Sequence, residues 1–462
     1  MTILPGVAAG HVVTAQAGAD ALAAGGHAVD AAVTMMLVSC AAETIFTGLG
    51  GGGFATVYDA ETRTVRCVDF FVSVPGLGGG RAGRGVPIEV IFVGQAMPYE
   101  IGPPTVAVPG VPAGAYHLWR RWGRLPWADV VAPGRVASLG TPFSAAHAEL
   151  LPRVAPAFRV GDGVAVYGRP DGSLLQAGDL LRHPDHPNAY DLLASNPAAF
   201  YHGEYADAAV AAVAGSGALD RSDLERYTVV ESAPREAAFG GFGVFARGND
   251  LDDVLATMAA AAPMMHGDPL HDPETARGLV AALRGSDRRT ETTNVCAVDR
   301  DGNACAITTS LGLGSGVWVP GFGVHLNSML GEGELNRGIP RPGTRLGSMM
   351  SPLVAVDADR RPVVVAGAAG GSRIRPALVQ CVLRMLNGEA PQSAIDQPRL
   401  NALPGLVRLE PGFSEEVITA LRQDGDEVVV TTQRDPYFGG VSALGAQGGG
   451  ADPRRSGAVL LS

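Results

Sequence analysis

The stretch Thr47-Gly48-Leu49-Gly50-Gly51-Gly52-Gly53-Phe54 constrains the fold of this chain more than any other. It contains the spacing G-x-G-x-x-G at Gly48, Gly50 and Gly53. A dinucleotide-binding loop, however, must leave a strand and open a helix, so that the helix N-terminus meets the pyrophosphate. Here the order is inverted. Residues 29–42 before it are apolar almost all round and read as a buried helix. Residues 55–58 and 64–70 after it alternate like strands around a polar turn at 59–62. The glycines therefore read as a loop whose backbone packs closely against another segment, ahead of a β-hairpin.

The rest of the chain divides by the same signals. Residues 14–24 form a second alanine-rich helix, separated from the first by Gly25-Gly26. Residues 74–112, rich in Gly and Pro, read as an extended surface loop, and residues 113–235 alternate short helices (113–121, 144–151, 206–214) with polar loops. A charged loop at 285–290 marks a break, beyond which strands dominate. Residues 294–298 and 304–309 flank Asp299-Arg300-Asp301-Gly302-Asn303, a hairpin signal because Asp-Gly accepts the positive φ of such turns. Residues 353–356 and 362–365 suggest another hairpin, leading through Gly370-Gly371 to a helix with Pro376 in its first turn.

Several chemistries are excluded outright. None of the 462 residues is lysine; all 35 basic residues are arginine. A Schiff-base lysine, a P-loop lysine and a Ser-Lys dyad are therefore impossible. The net charge of −11 opposes binding to nucleic acid or to an anionic membrane. Five scattered cysteines, Cys40, Cys67, Cys296, Cys305 and Cys381, lack zinc or redox spacing and read as buried free thiols. His183 and His186 sit in a proline-broken stretch that reads as a surface turn and not as a metal site. Neither metal nor cofactor is expected. The first residues lack a signal peptide's basic start and apolar run, and no run of 18 apolar residues occurs, so a soluble cytoplasmic protein is expected. One cluster stands out: Thr292-Thr293 opens a strand, and Thr308-Thr309-Ser310 closes the same hairpin. By itself a threonine pair there is ordinary strand propensity.

The wider text gives that cluster weight. Gly25-Gly-His-Ala-Val-Asp-Ala-Ala-Val33, Gly48-Leu-Gly-Gly-Gly-Gly-Phe54 and Val68-Asp69-Phe70 resemble the opening of gamma-glutamyltranspeptidases. The likeness continues through Val106-Ala-Val-Pro-Gly110, Trp122-Gly-Arg-Leu-Pro-Trp127, Ala199-Phe-Tyr-His-Gly203 and Asp223-Leu-Glu-Arg-Tyr227. It resumes at Thr292-Thr-Asn294, Asp301-Gly-Asn303, Gly314-Ser-Gly316, Ser348-Met-Met-Ser-Pro352, Gly370-Gly-Ser-Arg373 and Asp452-Pro-Arg-Arg-Ser-Gly457. By this resemblance the chain is identified as a member of that family of N-terminal-nucleophile hydrolases. The resemblance implies an α+β fold, a four-layer αββα sandwich. It also implies self-cleavage between Glu291 and Thr292 into a large subunit (1–291) and a small one (292–462) that stay associated as one intertwined domain. Thr292 would then be nucleophile, its freed α-amine the general base, Ser310 the hydroxyl partner of the nucleophile, and Gly370 and Gly371 the oxyanion hole.

Substrate recognition departs from the family. Its arginine for the γ-glutamyl α-carboxylate belongs to an Asp-Phe-Arg-Glu motif, whereas this chain reads Asp69-Phe70-Phe71-Val72. An asparagine expected two residues after Ser310 is Gly312. The acidic residue for the α-amine is missing from Asn327-Ser-Met-Leu-Gly331, although Glu332 substitutes if the register slips by one. Of two paired serines only Ser348 remains, beside Gly347. Phe71, Glu332 and Ser348 are the candidate substrate contacts, with Phe46 and Trp318 as further apolar candidates. These changes suggest a small-molecule amide or acyl substrate other than a standard γ-glutamyl peptide. Two alternatives remain: a true γ-glutamyl enzyme whose clamp uses Arg81 or Arg84 with Glu332, and an unprocessed, non-catalytic relative.

Overall fold

Helices begin where the sequence supplies caps. His11 accepts the Val13 amide and opens α1 (Val12–Ala23). At the start of α2 (Ala28–Ala42), His27 Nδ1 accepts the Val29 N–H at 3.0 Å, while Asp30 Oδ2 accepts the His27 N–H at 2.8 Å. This reciprocal pair satisfies two amides that the helix leaves open. Every residue of α2 is buried, as a helix without a polar face requires.

The computed structural model describes residues 3–92, 95–248, 251, 253–285, 292–332, 335 and 341–462. Among these, seven strands form one antiparallel sheet in the order β13 (Ala458–Leu461), β1 (Gly6–Ala9), β7 (Thr293–Val298), β8 (Ala304–Ser310), β2 (Gly52–Asp59), β3 (Thr64–Phe70), β4 (Val230–Ser232). A second antiparallel sheet runs β12 (Gly448–Ala451), β11 (Gly440–Gly445), β10 (Pro362–Ala369), β9 (Leu353–Val356), β6 (Phe242–Ala246), β5 (Arg235–Phe239). The sheets face each other across Ala8, Cys296, Ala304, Ala306, Val354, Val365 and Leu444. Such small residues let two backbones approach closely. Helices α1 and α2 cover the outer face of the first sheet, and α3 (Val254–Ala261) and α4 (Ile374–Leu386) cover that of the second. The result is the four-layer αββα arrangement.

The expected hairpins and helices are present with shifted ends, and two readings need correction. Residues 74–112 are not one loop: Val86–Phe92 and Gln95–Ile101 pair as a two-stranded ribbon. Pro87 and Pro98 obscured it, yet an isolated ribbon tolerates proline because no third strand needs the missing N–H. His183 and His186 do not lie in a surface turn either; both are buried, with ring centroids 5.0 Å apart. The charged loop at 286–290 lies outside the described residues. All five cysteines are buried and free.

Burial pushes His183 down to about 4 and His325 to about 3. Their neutral forms are the ones the fold accepts, so stability is complete above the unfolded value near 6.5 and falls as pH drops towards 4. Chemical denaturation between pH 7 and 4 should lose about 1 kcal/mol per pH unit for each such histidine. His183→Gln should flatten that slope. An unchanged slope contradicts the assignment.

Candidate active site

Alternation along β7 sends its side chains to two different layers. Val295 and Ala297 pack towards α2, whereas Cys296 and Val298 enter the space between the sheets. Thr292 stands immediately before β7 and is buried. Its Oγ1 accepts the Gly370 N–H at 2.6 Å. Gly370 follows the last residue of β10, where the chain turns towards α4 through two successive left-handed residues, Gly370 at φ +120° and Gly371 at φ +58°. L side chains are strained there, which explains the glycine pair.

The strand register gathers the remaining hydroxyl. Thr293 pairs with Thr309, Ser310 with Gly52, and Gly53 with Phe70. Continuing each ladder by one residue puts Thr292, Ser310, Gly52 and Phe71 in one row across four strands. With strands about 4.8 Å apart, Ser310 is the neighbour of Thr292 and Phe71 lies three strands away. The Ser310 hydroxyl accepts the Gly312 N–H at 3.0 Å. The glycine run packs directly behind this row: a Cβ at Gly51 would collide with the Ser310 carbonyl.

On the opposite face of β7 the Thr293 hydroxyl donates to Glu43 Oε2 at 2.6 Å, and Thr14 donates to Glu43 Oε1 at 2.7 Å. Glu43 is fully buried at the C-cap of α2. A cavity of about 10 Å³ touches Glu43, Thr292, Thr293, Phe46, Asp452 and Arg455, room for one water. The Arg455 guanidinium lies 4.5 Å from the Phe46 ring centroid. Behind Asp452 lies a buried charge network. Arg399 Nη2 donates to Asp452 at 2.6 Å, Arg454 Nη1 donates to it at 3.1 Å, and Arg454 Nε donates to Glu410 at 2.6 Å. Burial raises the Asp452 pKa, but the Arg399 and Arg454 charges and the hydrogen bonds to it more than offset this and hold it below the usual carboxylate range.

Of the candidate substrate contacts, Phe71 stacks on Phe54 with centroids 5.3 Å apart, and the Arg247 guanidinium covers Phe54 at 3.7 Å. Ser348 joins this group, its carbonyl accepting from Arg247 at 3.1 Å. Glu332 is buried elsewhere, accepting the Leu313 N–H at 3.2 Å. Its carboxylate occupies the space that a side chain at Gly312 would need. Phe46 lines the Thr292 cavity, whereas Trp318, in the same apolar cluster as Phe46, stacks on His325 and does not line that cavity. Arg81 lines a separate open cleft of about 630 Å³ with Glu100 and Thr105. Glu291 lies outside the described residues. Sequence reasoning missed Glu43, Asp452 and Arg455 as neighbours of Thr292. The first had a signal: a carboxylate ending a helix that is otherwise apolar. Among the described residues no group of three or more His, Cys, Asp and Glu side chains could hold a metal, and no helix is long and apolar enough to cross a membrane.

The gamma-glutamyltranspeptidase family model matches residues 14–251 and 256–462. The chain belongs to this family. It is 26% identical to an acylase ACY 1 proenzyme from Pseudomonas sp. (strain V22), over 95% of this chain and 89% of that one. It is 24% identical to a glutathione hydrolase proenzyme from Bacillus subtilis (strain 168), over 91% of this chain and 84% of the relative. In structure it resembles a cephalosporin acylase from Bacillus halodurans, with a TM-score of 0.79, 22% identity, and coverage of 100% of this chain and 96% of the other, a likeness of fold. Membership makes the protein an enzyme of the N-terminal-nucleophile class, working by amide hydrolysis or acyl transfer.

Proposed function

We propose that the protein is a self-processing amidohydrolase or acyltransferase with Thr292 as nucleophile. The observation that carries this is the buried Thr292 hydroxyl at the head of an inner strand, met by the Gly370 amide at 2.6 Å. In the uncut chain Oγ1 attacks the Glu291 carbonyl, the peptide C–N bond breaks, and the Thr292 nitrogen takes the hydroxyl proton. Water then hydrolyses the resulting ester, leaving subunits 1–291 and 292–462 held together by the pairing of β7 with β1 and β8 with β2. In turnover the freed amine accepts the Oγ1 proton as Oγ1 bonds the acyl carbon, and passes it to the leaving amine. Ser310, one strand away, supports the nucleophile. The Gly370 and Gly371 amides are the candidate donors to the oxyanion. Mass spectrometry of the purified chain tests this: two fragments divided before Thr292 are expected, and an intact chain refutes it.

The substrate is an acylated small molecule other than a standard γ-glutamyl peptide. Phe71 offers a ring where an α-carboxylate needs a cation, and its neighbour Phe54 is itself already covered by Arg247. An acylase among the relatives fits that reading. Missing one partner of a buried charge pair costs about 2–5 kcal/mol. A chromogenic γ-glutamyl anilide should therefore be turned over with kcat/KM about 30- to 4,000-fold below that of a glutathione hydrolase. Turnover within tenfold of such an enzyme refutes altered specificity. The second reading, a γ-glutamyl enzyme, has in its favour the Glu332 carboxylate filling the space beside Gly312.

A further inference from the structure

Among the described residues the Glu43 carboxyl group makes no ion pair to a cation. It is fully buried, and the two hydrogen bonds it accepts come from the neutral hydroxyls of Thr14 and Thr293. Burying a carboxylate in this way is costly unless a positive charge faces it. The other carboxylate on the same small cavity, Asp452, is already held by Arg399 and Arg454. The remaining charged group there, Arg455, lies over Phe46. The cavity also contains Thr292, the residue directly before the one that Glu43 grips.

We infer that Glu43 is the positioning residue for the Thr292 α-amine: it faces the ammonium created by self-cleavage and holds the amine's proton affinity near neutrality. The inference rests on the Thr292 reading above. Burial and the Arg455 charge both favour the neutral amine and depress its pKa, while an opposite charge within about 4–6 Å raises it. The two effects oppose each other. A base poised near the working pH takes up and returns a proton most effectively. Glu43 therefore acts through the amine and touches no substrate. The hydroxyl of Thr293 fixes the carboxylate, and the one-water cavity gives it a path to the amine.

The absence of lysine makes the test unusually direct. After cleavage the protein has two primary amines, the chain's first residue and Thr292. Cyanate reacts with neutral amines, so carbamoylation at each, followed by mass spectrometry across pH 5–9, reads both titrations in one sample. Replacing the carboxylate by Glu43→Gln should lower the Thr292 midpoint by about one unit or more. At pH 6 labelling of Thr292, relative to the first residue, should then rise about tenfold. An unchanged ratio in processed Glu43→Gln overturns the inference and leaves the threonine nucleophile intact. An intact wild-type chain, lacking the second amine, overturns both. Should Glu43→Gln fail to fold or to process, the wild type alone decides. A Thr292 midpoint within about one unit of 7.7, the value of a free α-amine, supports the counter-charge despite burial, and one below about 6.5 overturns it.

Discussion

Thr292→Ala is expected to remain a single chain and to release acyl groups about 10⁴- to 10⁶-fold more slowly than the processed wild type. The substitution removes one oxygen, which in the proposed mechanism serves twice, first against the chain's own carbonyl and then against the substrate. It also orphans the Gly370 N–H, whose partner it is. Thr292→Ser, which keeps the hydroxyl, should still cleave itself. Intact mass and acyl-release rates of the three proteins decide the matter. Full processing or full activity in Thr292→Ala sinks the assignment.

Arg454→Met should cost about 3–5 kcal/mol of stability, because it leaves Glu410 and half of Asp452 as uncompensated buried charges. The double variant Arg454→Met with Glu410→Leu should recover most of that loss, since an apolar pair of similar volume needs no counter-charge. Denaturant midpoints of the three variants measure both effects. A loss under 1 kcal/mol in the single variant contradicts the account. This network clasps the terminal Asp452-Pro-Arg-Arg segment to the strand at Leu406–Leu409 and its following Glu410. It thereby fixes the wall of the Thr292 cavity, so the single variant should also lose activity in proportion to its unfolding.

How far the site could be read from sequence depended on whether its parts are local. The Asp-Gly hairpin announces itself, because a five-residue turn between apolar runs has one good solution, and it fixes Thr292 and Ser310 as cross-strand neighbours. The Gly370-Gly371 pair was legible through the family resemblance, and the structure adds that both residues have positive φ, which glycine adopts most readily. Glu43 was not. It lies 250 residues from Thr293 in sequence, and nothing along the chain reports that pairing. His183 and His186 misled because proline and aspartate neighbours imitate a surface turn, while burial depends on what packs above it.

Residue order alone was enough for the main helices and hairpins outside residues 74–112, their order around the glycine run, the family, and a chemistry that does without lysine. Periodicity, turn geometry and residue inventory are properties of the chain. Which face of β7 each hydroxyl occupies, the aromatic stack under Arg247 at the position of Phe71, and the buried carboxylate bonded to Thr293 beside Thr292 emerge from the packed fold alone. Those depend on sheets and helices meeting across hundreds of residues, where burial turns an ordinary glutamate into a charge that needs an answer.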